Sequence, residues 1–489
     1  MKDVKTNSIR QYVEALKAKN LDLLVKTISY DDGQAFLCYI GQLIDRKQLS
    51  ELVIKPVMAY VAEKRRRLNA ELCNSLLYAD QSYLSEKPDE AEYHILDGMA
   101  VLFFTNDTQF VVIDCKKVER RSVSTPELMY ASRGPRDAFV EHLDTNLSLL
   151  RYRLKDGNIR IQRKPIGART KSTAALVYLE DVVNPSVIAE LNKRIDGIQT
   201  DGIYETGELQ NYLLNKETNL FPQMGLVERS DMAVEMLLQG KVLILIDGSC
   251  IALSAPIVIA EFFYSCDDRY DNKYFGLFMR LIRYSAAFIT LTATSYYIAL
   301  SQFHPDAMPA SYIVTFAQLR GSAPFSSFIA VLMLEFTVEL MREALLRVPV
   351  KIGSAIAIVG AIIIGQAASS SGAFSSLLLI LVSIGFLASF AIPDISLSNT
   401  LRIIKFLIIC MTGFFGFFGF SCAITFVLAL IVSNDSFGVP YAAPWAPFNR
   451  YDFKRTLTFT KRSSQKRQKY MHNKDTTRAP ADNRSKKEP

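Results

Sequence analysis

Three carboxylates, Glu335, Glu339 and Glu343, recur at every fourth position and would share one face of a helix. Repeated around an oligomer, such a face concentrates cations at a pore entrance. On a single interfacial helix the same residues are an ordinary polar face, with Glu343 paired to Arg347 and Glu339 solvated. Just downstream, Gly353, Ala357, Ala361, Gly365 and Ser369 place a strip of small residues along one helix face, a pattern that lets helices approach closely in lipid. The opposite face carries Ile352, Ile356, Val359, Ile363, Gln366 and Ser370. Lining a pore, Val359 and Ile363 would form an apolar neck beside Ile356, with Gln366 and Ser370 as its polar mouth. The alternative is that this aliphatic face meets lipid or a neighbouring helix.

Little else in the chain has the spacing of a chemical site. There is no P-loop, no GxSxG and no HExxH, and no pair of carboxylates stands out as acid and base. The cysteines (38, 73, 115, 250, 266, 410 and 422) contain no CxxC pair, and the histidines (94, 142, 304 and 472) are scattered. The expectation is a non-enzyme without catalytic residues, metal or cofactor. Arg133-Gly134-Pro135-Arg136 and Arg169-Thr170-Lys171 could hold phosphate, but neither sits on a Gly-rich strand-to-helix loop, which favours salt-bridged contacts.

The elements that must position these residues follow from charge and hydropathy. No Lys, Arg, Asp or Glu occurs in 284–305, 352–393 or 406–434, whereas the chain before 241 is dense with charge. About 20 apolar residues cross a bilayer core, so the back half reads as membrane-embedded. Crossings are expected at 276–300, 352–370, 373–392 and 403–432, with an amphipathic helix at 325–346; a fifth crossing results if that helix also spans. The N-terminus lacks the apolar core of a secretory signal, which puts the front half in the cytosol.

Within the front half, helical spacing covers 6–29 and 45–66, a strand 35–40, and a hairpin 99–104 with 109–115. Phe139, Leu143, Leu147, Leu150 and Leu154 predict a helix over 136–155 bridging two subdomains. A strand over 174–179 precedes a helix opened by Asn184-Pro185, βα order that suggests an α/β module. Around Asp247-Gly248, 242–246 and 250–253 read as a buried hairpin, with a membrane span over 242–263 as the alternative. The fold class is therefore an α/β cytosolic region of two subdomains followed by an α-helical multi-span membrane domain. Its expected parts are 1–145, 146–263 ending in the β-hairpin, 264–448 in the membrane, and a tail over 449–489. With 13 Lys/Arg against 4 Asp/Glu from 450 onward, that tail is expected to be disordered and to lie on anionic membrane lipids, with no nucleic acid partner.

From Glu119 onward the chain accumulates short signatures: Glu119-Arg120-Arg121-Ser122-Val123, Arg133-Gly134-Pro135-Arg136, Thr145-Asn146, Arg169-Thr170-Lys171 with Val177-Tyr178, Asn184-Pro185, Phe221-Pro222-Gln223, Glu228-Arg229, Ile246-Asp247-Gly248, Phe303-His304-Pro305, Ile364-Gly365-Gln366-Ala367-Ala368 and Phe437-Gly438-Val439-Pro440-Tyr441. In order and spacing these resemble the A subunits of the GerA family of bacterial spore germinant receptors. The resemblance implies a non-enzymatic, multi-pass sensor of the spore inner membrane, its N-terminal domain in the cytosol or spore core. It further implies a transporter-like B subunit that holds the nutrient and a lipoprotein C subunit as partners. Self-association into a ring, expected to be pentameric, would form a nutrient-gated ion channel whose opening releases cations and starts germination. The competing expectation is a non-conducting scaffold that transmits the signal to its partners.

Overall fold

The computed structural model describes residues 2–19, 22–30, 33–64, 68–79, 81–116, 126, 134–214, 219–307, 324–347, 365–366, 370, 372–457 and 466–478. The chain forms two compact units: Met1–Glu217, Met224–Pro256 and Ser464–Pro489 make unit 1, and Thr218–Gln223 with Ile257–Ser463 make unit 2.

Unit 1 holds two five-stranded antiparallel sheets. The first is built from β1 (Leu23–Tyr30), β2 (Gly33–Ile40), β3 (Ser82–Ser85), β4 (Ala100–Phe104) and β5 (Phe110–Ile113), in the order β1-β2-β4-β5-β3. Alternate residues of these strands bury on opposite faces. Ala35, Leu37, Leu102 and Phe104 pack with α3 (Lys55–Lys64) and α4 (Ala70–Leu76), whereas Phe36, Cys38, Val101 and Phe103 pack with α1 (Lys2–Lys19) and α5 (Pro88–Leu96). A short helix α2 (Arg46–Gln48), capped by Asp45, leads into α3. Helices on both faces explain why β4 and β5 read as unbroken apolar runs.

The second sheet repeats the first. It comprises β6 (Ile159–Ile166), β7 (Ser172–Leu179), β8 (Gly225–Val227), β9 (Val242–Ile246) and β10 (Ala252–Ala255), ordered β6-β7-β9-β10-β8. The registers coincide as well: Leu23↔Ile40 matches Ile159↔Leu179, Ala35↔Phe104 matches Ala174↔Ile246, and Ala100↔Ile113 matches Val242↔Ala255. Helices α6 (Leu143–Arg153), α7 (Pro185–Asp196), α8 (Thr206–Leu213) and α9 (Ser230–Leu238) take the corresponding places between strands. Gly98 and Gly240 sit two residues before β4 and β9 with φ of 87° and 90°, a turn that glycine makes without strain. A short pattern recurs with them: Leu84-x-Glu86-Lys87-x-Asp89-x-Ala91 and Leu226-x-Glu228-Arg229-x-Asp231-x-Ala233.

Three expectations change here. The helical spacing over 6–29 ends at Lys19, because β-branched Val25, Thr27 and Ile28 pair along the whole of β2. The helix expected over 136–155 begins at Leu143, since Ala138 bridges Arg229 and the Phe139 amide donates to the Glu228 carbonyl at 2.7 Å. The βα order of 174–195 belongs to an antiparallel sheet.

Unit 2 contains α10 (Lys273–Ile298), α11 (Ser327–Arg347), α12 (Ser376–Phe390) and α13 (Ile395–Ser433). Among the described residues, α13 is the one helix long and apolar enough to cross a membrane, and α12 is a shorter apolar helix of 15 residues. The crossing expected at 403–432 falls within α13, while that at 352–370 lies outside the described residues except for 365, 366 and 370. Gly416, with φ of 61°, breaks α13, and a side chain there would meet the Phe303 ring. The tail also departs from expectation. Residues 450–457 form α14 (Arg450–Leu457), and 466–478 fold onto unit 1.

Candidate functional site: a buried charged layer in unit 2

Helices α11 and α13 are apolar along most of their length, yet their facing sides carry matched charges. Glu335 and Glu339 lie one turn apart on α11, and Arg402 and Lys405 lie one turn apart on α13. The Lys405 ammonium donates to Glu335 Oε2 at 2.6 Å, with side chains 6% and 3% exposed. Arg402 clasps Glu339 through two nitrogens, Nε to Oε1 at 3.1 Å being one, and also donates to Asn399 Oδ1 at 2.9 Å. A planar guanidinium gripping a carboxylate in this way fixes orientation as well as charge. Arg342 continues the layer: its Nη2 donates to Ser389 Oγ at 2.8 Å, and its guanidinium lies 5.0 Å from the ring centroids of both Phe386 and Phe390 on α12. Glu343, the third expected carboxylate, pairs with Arg347 at 2.6 Å on the exposed side.

The expected cation-attracting face is thus a set of ion pairs, two of them made with α13. In the sequence, Arg402 and Lys405 bear only on topology. Their i,i+3 spacing puts them on one helix face, as the i,i+4 spacing does Glu335 and Glu339, and is the signal that could have paired them. Around Gly365 no atom of the described residues lies within 4 Å of where a side chain would project, and Gln366 is exposed, its carbonyl accepting from Ser370 Oγ at 2.7 Å. Of the other expected pore and packing residues, Ile356, Val359, Ile363, Gly353, Ala357 and Ala361 lie outside the described residues.

A second buried cluster stands at the start of α10. Asp268 accepts from Arg283 at 2.6 Å and from Arg280 at 3.3 Å, and the Arg280 guanidinium lies 4.4 Å over the Tyr264 ring. Burial pushes the Tyr264 phenol up to about 12. Arg280 also donates to the Thr456 carbonyl, which ties α14 to α10. Among the described residues no group of three or more His, Cys, Asp or Glu could hold a metal ion. The layer can hold helices in register and respond to their movement; it offers no nucleophile and no acid–base pair.

Comparison with known proteins gives consistent results. Spore germination protein B1 of Bacillus subtilis (strain 168) is 32% identical over 452 residues, 90% of this chain and 93% of that protein. Spore germination protein GerLA of Bacillus cereus is 33% identical over 387 residues, 79% of each. A crystal structure of the N-terminal domain of the A subunit of the Bacillus megaterium spore germinant receptor GerK3 aligns with 50% of this chain and 94% of its own, at 19% identity and a TM-score of 0.38. The family model for the Bacillus/Clostridium GerA spore germination protein matches residues 10–470, and the chain belongs to that family.

Proposed function

We propose that the chain is the A-type subunit of a spore germinant receptor, a multi-pass protein of the spore inner membrane that works with a transporter-like B subunit and a lipoprotein C subunit. In this reading copies of the chain form a ring around a nutrient-gated channel that releases cations. The observation that supports a membrane role is the polarity of unit 2, in which Phe414, Phe418, Leu387 and Phe390 face outward while Glu335, Lys405, Arg280 and Asp268 are buried. Intramembrane ionisable residues that pair inside a bundle mark functional sites by default. Val359 and Ile363, one turn apart in the uncharged stretch, are the proposed apolar neck, with Ile356 and Gln366 on the same face.

The test is purification, sizing of the oligomer, and cation flux in liposomes. A ring that passes cations supports the channel; a monomer, or a ring that stays silent with its partners and nutrient present, rejects it. One observation favours a non-conducting scaffold as second reading: Glu335 and Glu339 are held by Lys405 and Arg402 and so are not free to draw in cations. If Glu335→Gln with Glu339→Gln leaves flux unchanged at low salt, these carboxylates serve packing alone.

A further inference from the structure

The two repeats of unit 1 share a groove, lined by the loop after the second strand and the end of the helix before the fourth. In the first repeat these are 41–45 and 93–98, in the second 180–184 and 235–240. Asp45 and Asn184 mark equivalent points, each capping the helix that follows. In the first repeat the groove is filled by the chain leaving β5: the Asp45 amide donates to the Cys115 carbonyl at 2.9 Å, Ile44 bridges Lys116, and Lys116 Nζ reaches Asp97 at 2.6 Å. Lys155 adds a second pair to Asp97, and Ser148 Oγ donates to the Gln42 carbonyl at 2.6 Å.

In the second repeat the chain leaving β10 passes at Ile257 into unit 2 and cannot serve as filler. Its groove holds residues 466–478 instead. This segment is a closed loop: Lys466 bridges Thr477, and Arg467 Nη1 donates to Asp475 Oδ2 at 2.7 Å and to the Thr477 carbonyl at 2.6 Å. The loop presses Tyr470 and Met471 inward, Met471 to 1% exposure. Arg467 Nε donates to the Leu238 carbonyl at 2.8 Å, Asn473 Nδ2 to the Gln239 carbonyl at 2.7 Å, and the Lys474 amide to the Val182 carbonyl at 3.0 Å. Arg478 pairs with Glu235 at 2.7 Å, both side chains being nearly buried. At Gly240 a side chain would strike Asn473, and at Gly98 it would approach Lys116, so Asn473 and Lys116 occupy corresponding positions.

We propose that this groove is a peptide-docking site whose ligand is the chain's own segment 466–478, and that docking fastens both ends of the longer stretch of unit 2, Ile257–Ser463, to one repeat. The segment completes the second repeat in the way that Cys115 and Lys116 complete the first, and it recognises mainly backbone carbonyls at the end of α9, with two apolar anchors, Tyr470 and Met471, and one ion pair. The longer stretch of unit 2 is entered at Ile257 and left at Ser463, so a movement there that pulls on its far end bears directly on this contact.

Hydrogen–deuterium exchange on the full-length protein tests the proposal, with the first repeat as internal control. Met471→Asp should raise exchange at 180–184 and 236–241 by about tenfold, the size of one lost charge-assisted hydrogen bond or more, and leave 41–45 and 94–99 unchanged. Arg478→Glu should act in the same direction, and Glu235→Arg in the same chain should restore protection. Unchanged exchange at 180–184 and 236–241 in both single variants, or an equal rise in both repeats, would overturn the assignment.

Discussion

In unit 1, Phe104, Val111 and Leu176 lie inside the sheet layers and Arg169, Asp201 and Lys87 point outward; in unit 2, Phe414, Phe418 and Leu387 point outward and Glu335, Lys405 and Arg280 lie inside. Both units follow the same rule, that a side chain seeks the medium that solvates it, and the outward aromatic residues of unit 2 fit the hydrocarbon surroundings proposed for it. Charges kept inside an apolar bundle must be paired, because an isolated buried charge costs far more than its partner's removal saves. Unit 1 also pairs the charges it buries, Arg151 with Asp22 at 2.5 Å and Arg229 with Asp231 at 2.8 Å, but its exposed charges such as Arg169 and Asp201 have water as an alternative partner.

The sharpest way to break this comparison is to remove one member of a pair in unit 2. Glu335→Ala or Lys405→Ala should lower stability by about 3–5 kcal/mol, whereas replacing both by apolar residues of similar volume should recover most of it. Thermal unfolding in detergent reads the difference, and an equally mild effect for all three would mean that the pair is solvated. Next in size is the outward face. Phe418, 73% exposed, should resist charge: Phe418→Arg costs about 2.5–3.5 kcal/mol on the membrane-insertion scale if this position meets hydrocarbon. Tyr204→Arg, equally exposed on unit 1, should stay within about 0.5 kcal/mol. Comparing membrane-integrated yields of the two variants checks this, and equal yields would place Phe418 in water.

A smaller effect is expected between α11 and α13, where a side chain at Gly413 would overlap the Phe328 ring. Gly413→Ala should cost about 1–3 kcal/mol through overpacking, and Phe328→Ala in the same chain should relieve it. The smallest concerns Asp97 at the junction of the repeats. Burial acts to raise its pKa, but hydrogen bonds from Lys116 and Lys155 outweigh it and hold the carboxyl below 3.8. A lowered carboxylate adds stability above its unfolded value and loses it as pH falls through the folded one. Acid unfolding of Asp97→Asn should therefore start from a slightly lower stability at neutral pH and fall less steeply below pH 3.8 than the parent.

Much of unit 1 was legible because its signals are local: the turn at 105–108, the Asn184-Pro185 cap and the Asp247-Gly248 turn need only neighbouring residues. The duplication was not, since the repeats share few residue identities and their helical insertions differ in length; strand register carries the likeness. The ion pairs of unit 2 were hidden for another reason. Glu335 and Lys405 are 70 residues apart in sequence, and Glu339 and Arg402 are 63, so only the packing of α11 on α13 brings them together. The tail misled because composition measures average burial, while Tyr470 and Met471 supply the two anchors that 466–478 needs.

The proposal that unit 2 conducts ions is tested most directly at its uncharged stretch. Purified protein carrying Val359→Ser, reconstituted in liposomes loaded with potassium, should leak without nutrient and faster than Val359→Ala, because a hydroxyl both shortens and hydrates an apolar neck. A parent-like, tightly closed Val359→Ser protein that still assembles as a ring would contradict a gate at this position and leave the scaffold reading standing.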